Sequence, residues 1–237
     1  MAKKYKERFD KRKLNQLRPV EAKVGIIPRA DGSAMFKIGN TIAIAAVYGP
    51  RDLHPRFMQN PKTGILRCHY AMMPFSGHGD RVRPGTSRRS KEIGMVTRNA
   101  LLPVLSLEEY PNSVVDVFIQ FPQTDAGTRC AGIVAASMAL ADAGLEMRDL
   151  VSSVAVGKVG DTIVADLTYD EEAFEDGAAD IPVAMIPSTG EVTLLQMDGD
   201  MTAEELKEAL DLAQEKCKEL YEVQKKALKE KFKGEQG

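Results

Sequence analysis

The chain has 237 residues, 43% of them hydrophobic and 28% charged, and its 32 basic and 34 acidic residues give a formal net charge of -2 at pH 7. This length allows a sizeable core in one or two domains, and the lack of any run of about 18 apolar residues argues against a membrane protein. The basic N-terminus lacks an apolar signal core and the three cysteines are widely spaced, so we expect a reducing, cytoplasmic location without a membrane partner.

The first hundred residues predict strands followed by a helix. The stretches VEAKVGIIP, AMFKIG and TIAIAAVYGP predict a meander of three strands separated by glycine-containing turns. A polar stretch, residues 51–64, precedes a further strand in ILRCHYAMMPF. Apolar residues then recur near a 3.6-residue period from Ile93 onward, and Ser87 is expected to cap this helix.

The remainder of the chain repeats this alternation of strand and helix. SVVDVFIQF predicts a strand, and GTRCAGIVAASMALADAG predicts a helix of small residues that packs closely on a sheet and ends at Gly144. Two hairpins are expected, from VSSVAVGKVG with DTIVADL and from IPVAMIP with EVTLLQMDG. Thr202 and Glu205 predict a capping box at the start of a last helix, with an apolar face at Leu206, Leu210, Ala213, Cys217 and Leu220.

These elements predict a single α+β domain over residues 1–237, with β-sheets packed against helices and a long helix at the C-terminus. No linker separates the two halves of the chain. A basic N-terminal tail is expected at about residues 1–16, and a lysine-rich C-terminal tail that frays is expected at about residues 225–237.

Charge is distributed unevenly along the chain, and the first concentration of charge is basic. Residues 81–98 contain six Lys or Arg and one acid, Glu92. Arg88 and Arg89 would lie in the first turn of the helix capped by Ser87, where free N–H groups and the positive end of the helix dipole favour phosphate. The alternative is a solvated loop whose arginines pair with nearby carboxylates.

A second possible anion site lies at Gly127-Thr128-Arg129, where another strand end runs into a helix. Glycine would let the backbone approach an anion, while the threonine hydroxyl and the guanidinium would donate hydrogen bonds. The alternative is that Thr128 only caps the helix. Two such sites in one chain favour a phosphate-containing ligand.

The third feature is acidic. Residues 166–180 contain seven acids and neither Lys nor Arg. This density favours a divalent cation or a raised carboxyl pKa, and the alternative is a solvated face. Asp180 directly precedes the apolar strand IPVAMIP, and a carboxylate at a strand end is well placed for acid catalysis or metal binding.

Together these features indicate phosphoryl transfer by positioned charges with Mg²⁺ or Mn²⁺. The sequence has neither a P-loop nor a Gly-x-Ser-x-Gly motif. A polyanionic substrate fits better, with Arg56, Lys62 and Arg67 as further phosphate contacts. Tyr70 would either stack on a base or belong to the core.

Six stretches resemble the RNase PH family of phosphorolytic exoribonucleases: AAVYGPRDLHPR, YAMMPFS, RPGTSRRSKEIG, QTDAGTRCAG, ALADAGLEMRDLV and VTLLQMDG. Within that family they are similar to the catalytic RNase PH-type subunits of archaeal exosomes. The resemblance covers the chain from about Leu17 to the final helix. It implies an RNase PH-type fold and a hexameric ring in which the chain alternates with a related inactive subunit beneath RNA-binding cap subunits.

The resemblance also implies the reaction. Inorganic phosphate would attack the 3′-terminal phosphodiester of single-stranded RNA and release nucleoside diphosphates, and the reverse reaction would add a 3′ tail. Arg88 and Arg89 would hold the RNA backbone at the scissile bond. Gly127, Thr128 and Arg129 would hold phosphate. Further RNA contacts would come from Arg56, Lys62, Arg67 and Tyr70.

Two departures from the family pattern bear on this interpretation. FDKRKLNQLRP stands where the subfamily has an Asp-Gly-Arg turn. Asp180 matches the principal acid or metal ligand of the family, but the second catalytic aspartate falls at Phe174. An insertion of two residues leaves either Glu172 or Asp176 as the second acid, with Asp176 a further metal ligand. The alternatives to an exosome nuclease are a non-catalytic RNA-binding ring subunit and a homohexamer that trims transfer RNA.

Overall fold

The first half of the chain builds a five-stranded sheet in a computed structural model that describes residues 5, 7–78, 81–174 and 177–234. Its strands are β1 (Val20–Val24), β2 (Gly32–Ile38), β3 (Thr41–Asp52), β4 (Ile65–Met72) and β5 (Ser113–Gln123). The spatial order is β1-β2-β3-β5-β4, and only β4 and β5 pair in parallel. The predicted meander is therefore confirmed.

The second half builds a four-stranded antiparallel sheet. It consists of β6 (Ser152–Val159), β7 (Thr162–Ala165), β8 (Ala178–Ile186) and β9 (Glu191–Leu195), in the order β7-β6-β8-β9. Both predicted hairpins are confirmed. Helix α3 (Tyr169–Glu172), a single helical turn within the acidic segment, was not predicted.

Helix α1 (Arg88–Leu101) begins as predicted, because the Ser87 side chain accepts a hydrogen bond from the Ser90 backbone in a capping box. The helix packs on β4. A Cβ on Gly94 would lie 2.6 Å from the Cys68 carbonyl oxygen, so this close approach requires glycine. The close packing fixes where the first turn of α1, and its two arginines, stand relative to the sheet.

Helix α2 (Thr128–Asp142) lies between the two sheets and packs against strands of both. Its alanines and glycine allow this approach, and one continuous apolar core includes residues from both halves of the chain. The α+β class is confirmed, while the organisation of residues 1–237 as a single domain stays a prediction.

Helix α4 (Ala203–Gly234) is 32 residues long, and Thr202 and Glu205 exchange the predicted capping-box hydrogen bonds. The predicted fraying is not seen up to Gly234. Lys231 donates a hydrogen bond to Asp142 at 2.7 Å, and this carboxylate is nearly buried, so the last turns are tied to the end of α2. Within the described ranges, no helix is long and apolar enough to cross a membrane.

The N-terminal segment does not form the expected tail over its described residues. Tyr5 is 7% exposed and Arg8 is 2% exposed, and both pack against the second sheet and the segment between β7 and β8. Arg18 is also buried and binds Asp166 through its backbone N–H, Nε and Nη2. Arg8 and Arg18 therefore form ion pairs inside the protein.

The turn at Lys11 has a backbone conformation that favours glycine, with φ of 62°. Its N–H closes the turn on the Arg8 carbonyl at 3.0 Å. Relief of the left-handed conformation contributes about 1–2 kcal/mol, and the greater flexibility of glycine in the unfolded chain offsets about 0.4–1 kcal/mol of it. We therefore expect Lys11→Gly to stabilise the protein by about 1 kcal/mol. Thermal unfolding should show a rise of about 2–4 °C.

The neighbouring exposed residue Lys13 provides the control, since it is not among the residues with positive φ. Lys13→Gly should lower the unfolding temperature through the greater flexibility of its unfolded chain. Equal effects of the two substitutions would contradict the assignment of strain to Lys11.

Candidate active site

A cavity of about 700 Å³ lies where β4 and β5 end and where α1, α2 and β8 begin. The carboxyl ends of parallel strands are a common place for ligand sites in sheets flanked by helices. Among the residues predicted from sequence, the cavity brings together Arg89, Gly127, Thr128, Arg129, Glu172 and Asp180. The basic and acidic segments of the sequence therefore face one space.

The loop before α2 presents its backbone to this cavity. Ala126 and Gly127 have φ of 54° and 62°, and Gly127 occupies the cap position. Thr128 is the first helical residue, so the alternative that it only caps the helix is wrong. A left-handed residue followed by a helical one turns successive N–H groups to the same side, which is an arrangement that binds anions.

Side chains from other elements hold this loop in place. Thr41 Oγ1 donates toward the carbonyls of Asp125 and Ala126, at 2.8 and 2.9 Å, and accepts from the Asp125 N–H at 2.9 Å. The Arg18 guanidinium donates a further hydrogen bond to the Asp125 carbonyl. Neither supporting residue was predicted from the sequence, because their contacts join positions more than eighty residues apart.

Arg129 projects from the first turn of α2 and is oriented by Glu92 of α1. Its Nη2 donates to Glu92 Oε2 at 3.1 Å, and Gln196 donates to the other carboxylate oxygen at 3.3 Å. The Arg129 Nε is buried and has no hydrogen-bond partner within the described chain. A donor in this state is available to an anion in the cavity.

The two adjacent arginines of α1 are separated by the geometry of the helix. Arg89 lines the cavity, whereas Arg88 is exposed and is not among the lining residues. Successive residues on a helix point about 100° apart, so one side chain can face the cavity and the other the surrounding surface. The role of Arg88 at RNA stays a prediction.

Tyr70 belongs to the core, the alternative that the sequence had left open. Its ring is 6% exposed and packs on Phe121 with ring centroids 5.0 Å apart, so it is not available to stack on a base. Its hydroxyl donates to Thr128 Oγ1 at 3.0 Å. Burial raises the pKa of Tyr70, and the nearby charge of Arg89 opposes this rise. Tyr70 thus contacts Thr128 and lies close to Arg89, two residues that line the cavity.

Asp180 lies in β8 and is the most perturbed carboxyl group of the cavity. Its backbone exchanges hydrogen bonds with Asp198, both at 2.9 Å, while its Oδ1 is buried without a hydrogen-bond partner in the described structure. Burial, followed by the charge of Glu172, raises the pKa of Asp180 to about 7, although Arg129 acts in the opposite direction. This carboxyl can therefore hold or release a proton near neutral pH.

Glu172 is the second acid at the cavity. It lies at the end of α3 and lines the cavity, with much of its surface exposed to solvent. Partial burial of the carboxyl group is the main cause that raises the pKa of Glu172. Phe174, at the position of the family's second aspartate, instead packs with Tyr5 at a centroid distance of 5.5 Å. Asp176 lies outside the described residues. Glu172 therefore lies where a second acid is expected, and the choice between Glu172 and Asp176 stays a prediction.

The raised pKa of Asp180 predicts a pH-dependent destabilisation. The folded-state pKa of about 7 exceeds the ordinary aspartate pKa of 3.8, so between these values the native protein retains a proton that the unfolded chain loses. Stability should fall as pH rises through this window. Asp180→Asn, which cannot ionise, should therefore be more stable than the parent by about 2–4 kcal/mol at pH 8 and by little at pH 4.

Thermal unfolding in metal-free buffer at the two pH values measures this difference. Asp170→Asn is the matched control, because Asp170 is an exposed acid on α3 that does not line the cavity. A stabilisation by Asp180→Asn that is the same at both pH values would contradict the argument.

Three predicted RNA contacts lie away from the cavity. Arg56 and Lys62 are exposed residues of the loop before β4, and Arg67 forms a two-pronged ion pair with Asp116 at 2.7 and 2.9 Å. None of the three lines the cavity, and all lie before the end of β4 that reaches it. Their contact with RNA outside the cavity stays a prediction.

Sequence reasoning missed other residues of the cavity wall. Asp198 faces it from the end of the second sheet, and His78 and Tyr169 lie stacked at its edge with ring centroids 5.8 Å apart. The motif VTLLQMDG contains Asp198, so a signal existed for this residue. His78 lies in an irregular segment and Tyr169 in the single turn of α3, and neither segment has a comparable pattern.

The carboxylates suit a hard divalent cation. Mg²⁺ prefers oxygen ligands and is commonly held by one or two carboxylates together with substrate phosphates. The free, buried Oδ1 of Asp180 beside Glu172 fits this donor set. Within the described residues, no group of three or more His, Cys, Asp or Glu could hold a metal ion, so a cation here would depend on phosphate oxygens or water.

The fold places hydrogen-bond donors suited to phosphate groups beside two acids in one cavity. Models of the 3′ exoribonuclease family match this chain along most of its length: domain 1 of the RNase PH family at residues 16–146 and domain 2 at residues 149–216. The chain belongs to this family. The predicted family and the predicted class of enzyme, a phosphorolytic 3′→5′ exoribonuclease, are confirmed.

Individual relatives show which members of the family the chain is similar to. The exosome complex component Rrp41 of Methanopyrus kandleri is 51% identical over 96% of this chain and 94% of its own length. The component of the same name from Pyrococcus furiosus is 51% identical over 95% of this chain and 89% of its own length. A crystal structure of rice Rrp46 has a similar fold, with a TM-score of 0.78 at 23% identity over 93% of this chain and all of that one.

Proposed function

We propose that this chain is the phosphorolytic subunit of an exosome ring and that its cavity receives the 3′ end of single-stranded RNA. The observation that supports this most directly is the convergence of Arg89, the Thr128–Arg129 helix start and Asp180 on one cavity. Relatives with about half of their residues identical to this chain are named as exosome components, which supports its place in an exosome ring. A non-catalytic ring subunit would not need a buried, unpaired carboxylate facing donors for phosphate.

Inorganic phosphate is the attacking co-substrate in this proposal. The N–H groups at the start of α2, the Thr128 hydroxyl and Arg129 hold it, while Arg89 holds the RNA phosphate that is attacked. A phosphate oxygen forms a bond to that phosphorus as the bond to the 3′ oxygen of the preceding nucleotide breaks. The products are a nucleoside diphosphate and an RNA one nucleotide shorter, and excess diphosphate reverses the reaction.

The leaving 3′ oxygen needs a proton, and Asp180 is the group suited to deliver it. Its pKa of about 7 leaves a large protonated fraction at neutral pH, and its Oδ1 has no competing partner in the described chain. Asp180 and Glu172 would also hold Mg²⁺ or Mn²⁺, with Asp176 as the further ligand predicted from sequence. A bound cation would neutralise charge on the phosphate oxygens.

The partners that we propose are single-stranded RNA, a related inactive RNase PH-type subunit that alternates in the ring, and RNA-binding cap subunits. An apolar patch supports contact with another subunit: Met95 of α1 and Val192 and Leu195 of the edge strand β9 are each about half exposed. Free cysteines fit our proposal of a cytoplasmic location.

An assay of product identity tests the function. The chain, alone and mixed with the related subunit, would be incubated with 3′-labelled RNA and Mg²⁺, with and without inorganic phosphate. Phosphate-dependent release of nucleoside diphosphates is expected, and nucleoside monophosphates would indicate hydrolysis instead. Absence of diphosphates in all mixtures would overturn the proposal. A native mass of an active hexamer of this chain alone would favour the transfer-RNA-trimming alternative.

A further inference from the structure

A buried ion pair joins the N-terminal segment to helix α3, outside the cavity. Arg8 is 2% exposed and Glu171 is fully buried. Arg8 Nη2 lies 2.6 Å from Glu171 Oε2 and Arg8 Nε donates to Oε1 at 2.8 Å, so the two side chains meet through two parallel hydrogen bonds. The Tyr5 hydroxyl donates to the same carboxylate at 2.7 Å.

The same guanidinium also fixes the backbone that leads into α3. Arg8 donates to the carbonyl oxygens of Ala165 and Asp166, at 2.7 and 2.8 Å, where β7 ends. Arg8 therefore binds both ends of the segment between β7 and α3. Arg12 and Arg18 also bind Asp166, but within the described residues the guanidinium of Arg8 is the one that reaches α3 as well.

Helix α3 depends on such contacts because it has only four residues, and an isolated helix of this length is unstable. Glu171 also accepts from the Thr168 N–H at 2.9 Å, so the carboxylate that binds Arg8 completes the capping box of α3. The next residue, Glu172, lines the cavity. Seating Glu171 inward thus orients its neighbour, since adjacent helical residues point about 100° apart.

We propose that Arg8 and Glu171 are positioning residues that hold α3 so that Glu172 faces the catalytic cavity, an inference that rests on the proposed function. A buried ion pair is often no more stabilising than apolar residues of similar volume, so stability alone is a weak reason for it. Phe174 strengthens the anchoring, because its ring packs against Tyr5 on the same N-terminal segment.

A double-mutant cycle in kcat tests whether Arg8 acts through Glu172. In the assembled ring, Arg8→Met is expected to lower kcat by about 10- to 100-fold, the usual effect of a lost supporting contact. The KM for phosphate should change less than about twofold, because Thr128 and Arg129 remain in place. In a Glu172→Gln background, Arg8→Met should add almost no further loss.

Two further variants separate positioning from folding. Arg12→Met is the matched control, because Arg12 donates to the same Asp166 carbonyl as Arg8 but does not touch α3, so it should retain kcat if the contact to α3 is the one that matters. Glu171→Gln keeps the shape of the side chain and serves if Arg8→Met does not fold. It should lower kcat and speed hydrogen exchange in residues 168–173, while exchange in the first turns of α2 stays unchanged.

The outcomes are distinct. Losses from Arg8→Met and Glu172→Gln that multiply in the double variant would overturn the positioning role, as would full activity of Glu172→Gln in a ring that Asp180→Asn inactivates. This second result would leave the proposed function intact. Full activity of Asp180→Asn would remove only the role assigned to Asp180, whereas absence of nucleoside diphosphates from the parent ring would remove the proposed function and this inference together.

Discussion

Asp180→Asn is expected to lower kcat for phosphorolysis by about 10² to 10⁴-fold, the range associated with loss of a general acid. Asparagine keeps the size of the side chain and removes the proton that we assign to the leaving 3′ oxygen. The KM for phosphate should change little, because the start of α2 and Arg129 do not depend on this carboxyl. Initial rates of nucleoside diphosphate release, measured over a range of phosphate concentrations, give both constants.

The control for this prediction is again Asp170→Asn, which removes an exposed acid of the neighbouring α3 and should leave kcat within about twofold of the parent. The same Asp180→Asn protein should be more stable than the parent at pH 8. Loss of activity together with a gain in stability would show that the charge is retained for function. Loss of both would point to misfolding instead.

The order of strands and helices was readable from the sequence because each long element has a strong local pattern. The small residues of α2 predicted its close packing, and the capping residues of α1 and α4 predicted where those helices start. Helix α3 was missed because four residues contain too little periodicity. The N-terminal segment was misjudged because its charges pair with residues such as Glu171, more than 160 positions away.

The cavity could be predicted in part for the same reason. Arg129 stands in the first turn of α2 and Asp180 near the start of β8, and charged residues at such positions can be recognised as candidate functional groups from the local pattern. Tyr70 illustrates the limit, since a strand pattern does not say which face of the sheet a tyrosine occupies, and here it faces the core. The supporting contacts of Glu92 with Arg129 and of Thr41 with the loop before α2 arise only from tertiary packing.

Arg129→Met is expected to raise the KM for phosphate by about 10- to 100-fold, because hydrogen bonds to charged groups contribute about 1.5–3 kcal/mol. Methionine retains much of the apolar stem but removes the charge and the buried Nε donor. The KM for RNA should rise less, since Arg89 and the exposed surface arginines remain. Phosphate titrations at saturating RNA, followed by RNA titrations at saturating phosphate, separate the two effects.

Two comparisons decide whether this effect belongs to the guanidinium at the cavity. Glu92→Gln weakens the ion pair that orients Arg129, and it should raise the KM for phosphate in the same direction by a smaller factor. Arg88→Met removes the neighbouring arginine that does not line the cavity, and it should leave the KM for phosphate unchanged. If Arg88→Met and Arg129→Met raised it equally, general electrostatic attraction of phosphate to a basic surface would explain the result, and the start of α2 would lose its assignment as the phosphate site.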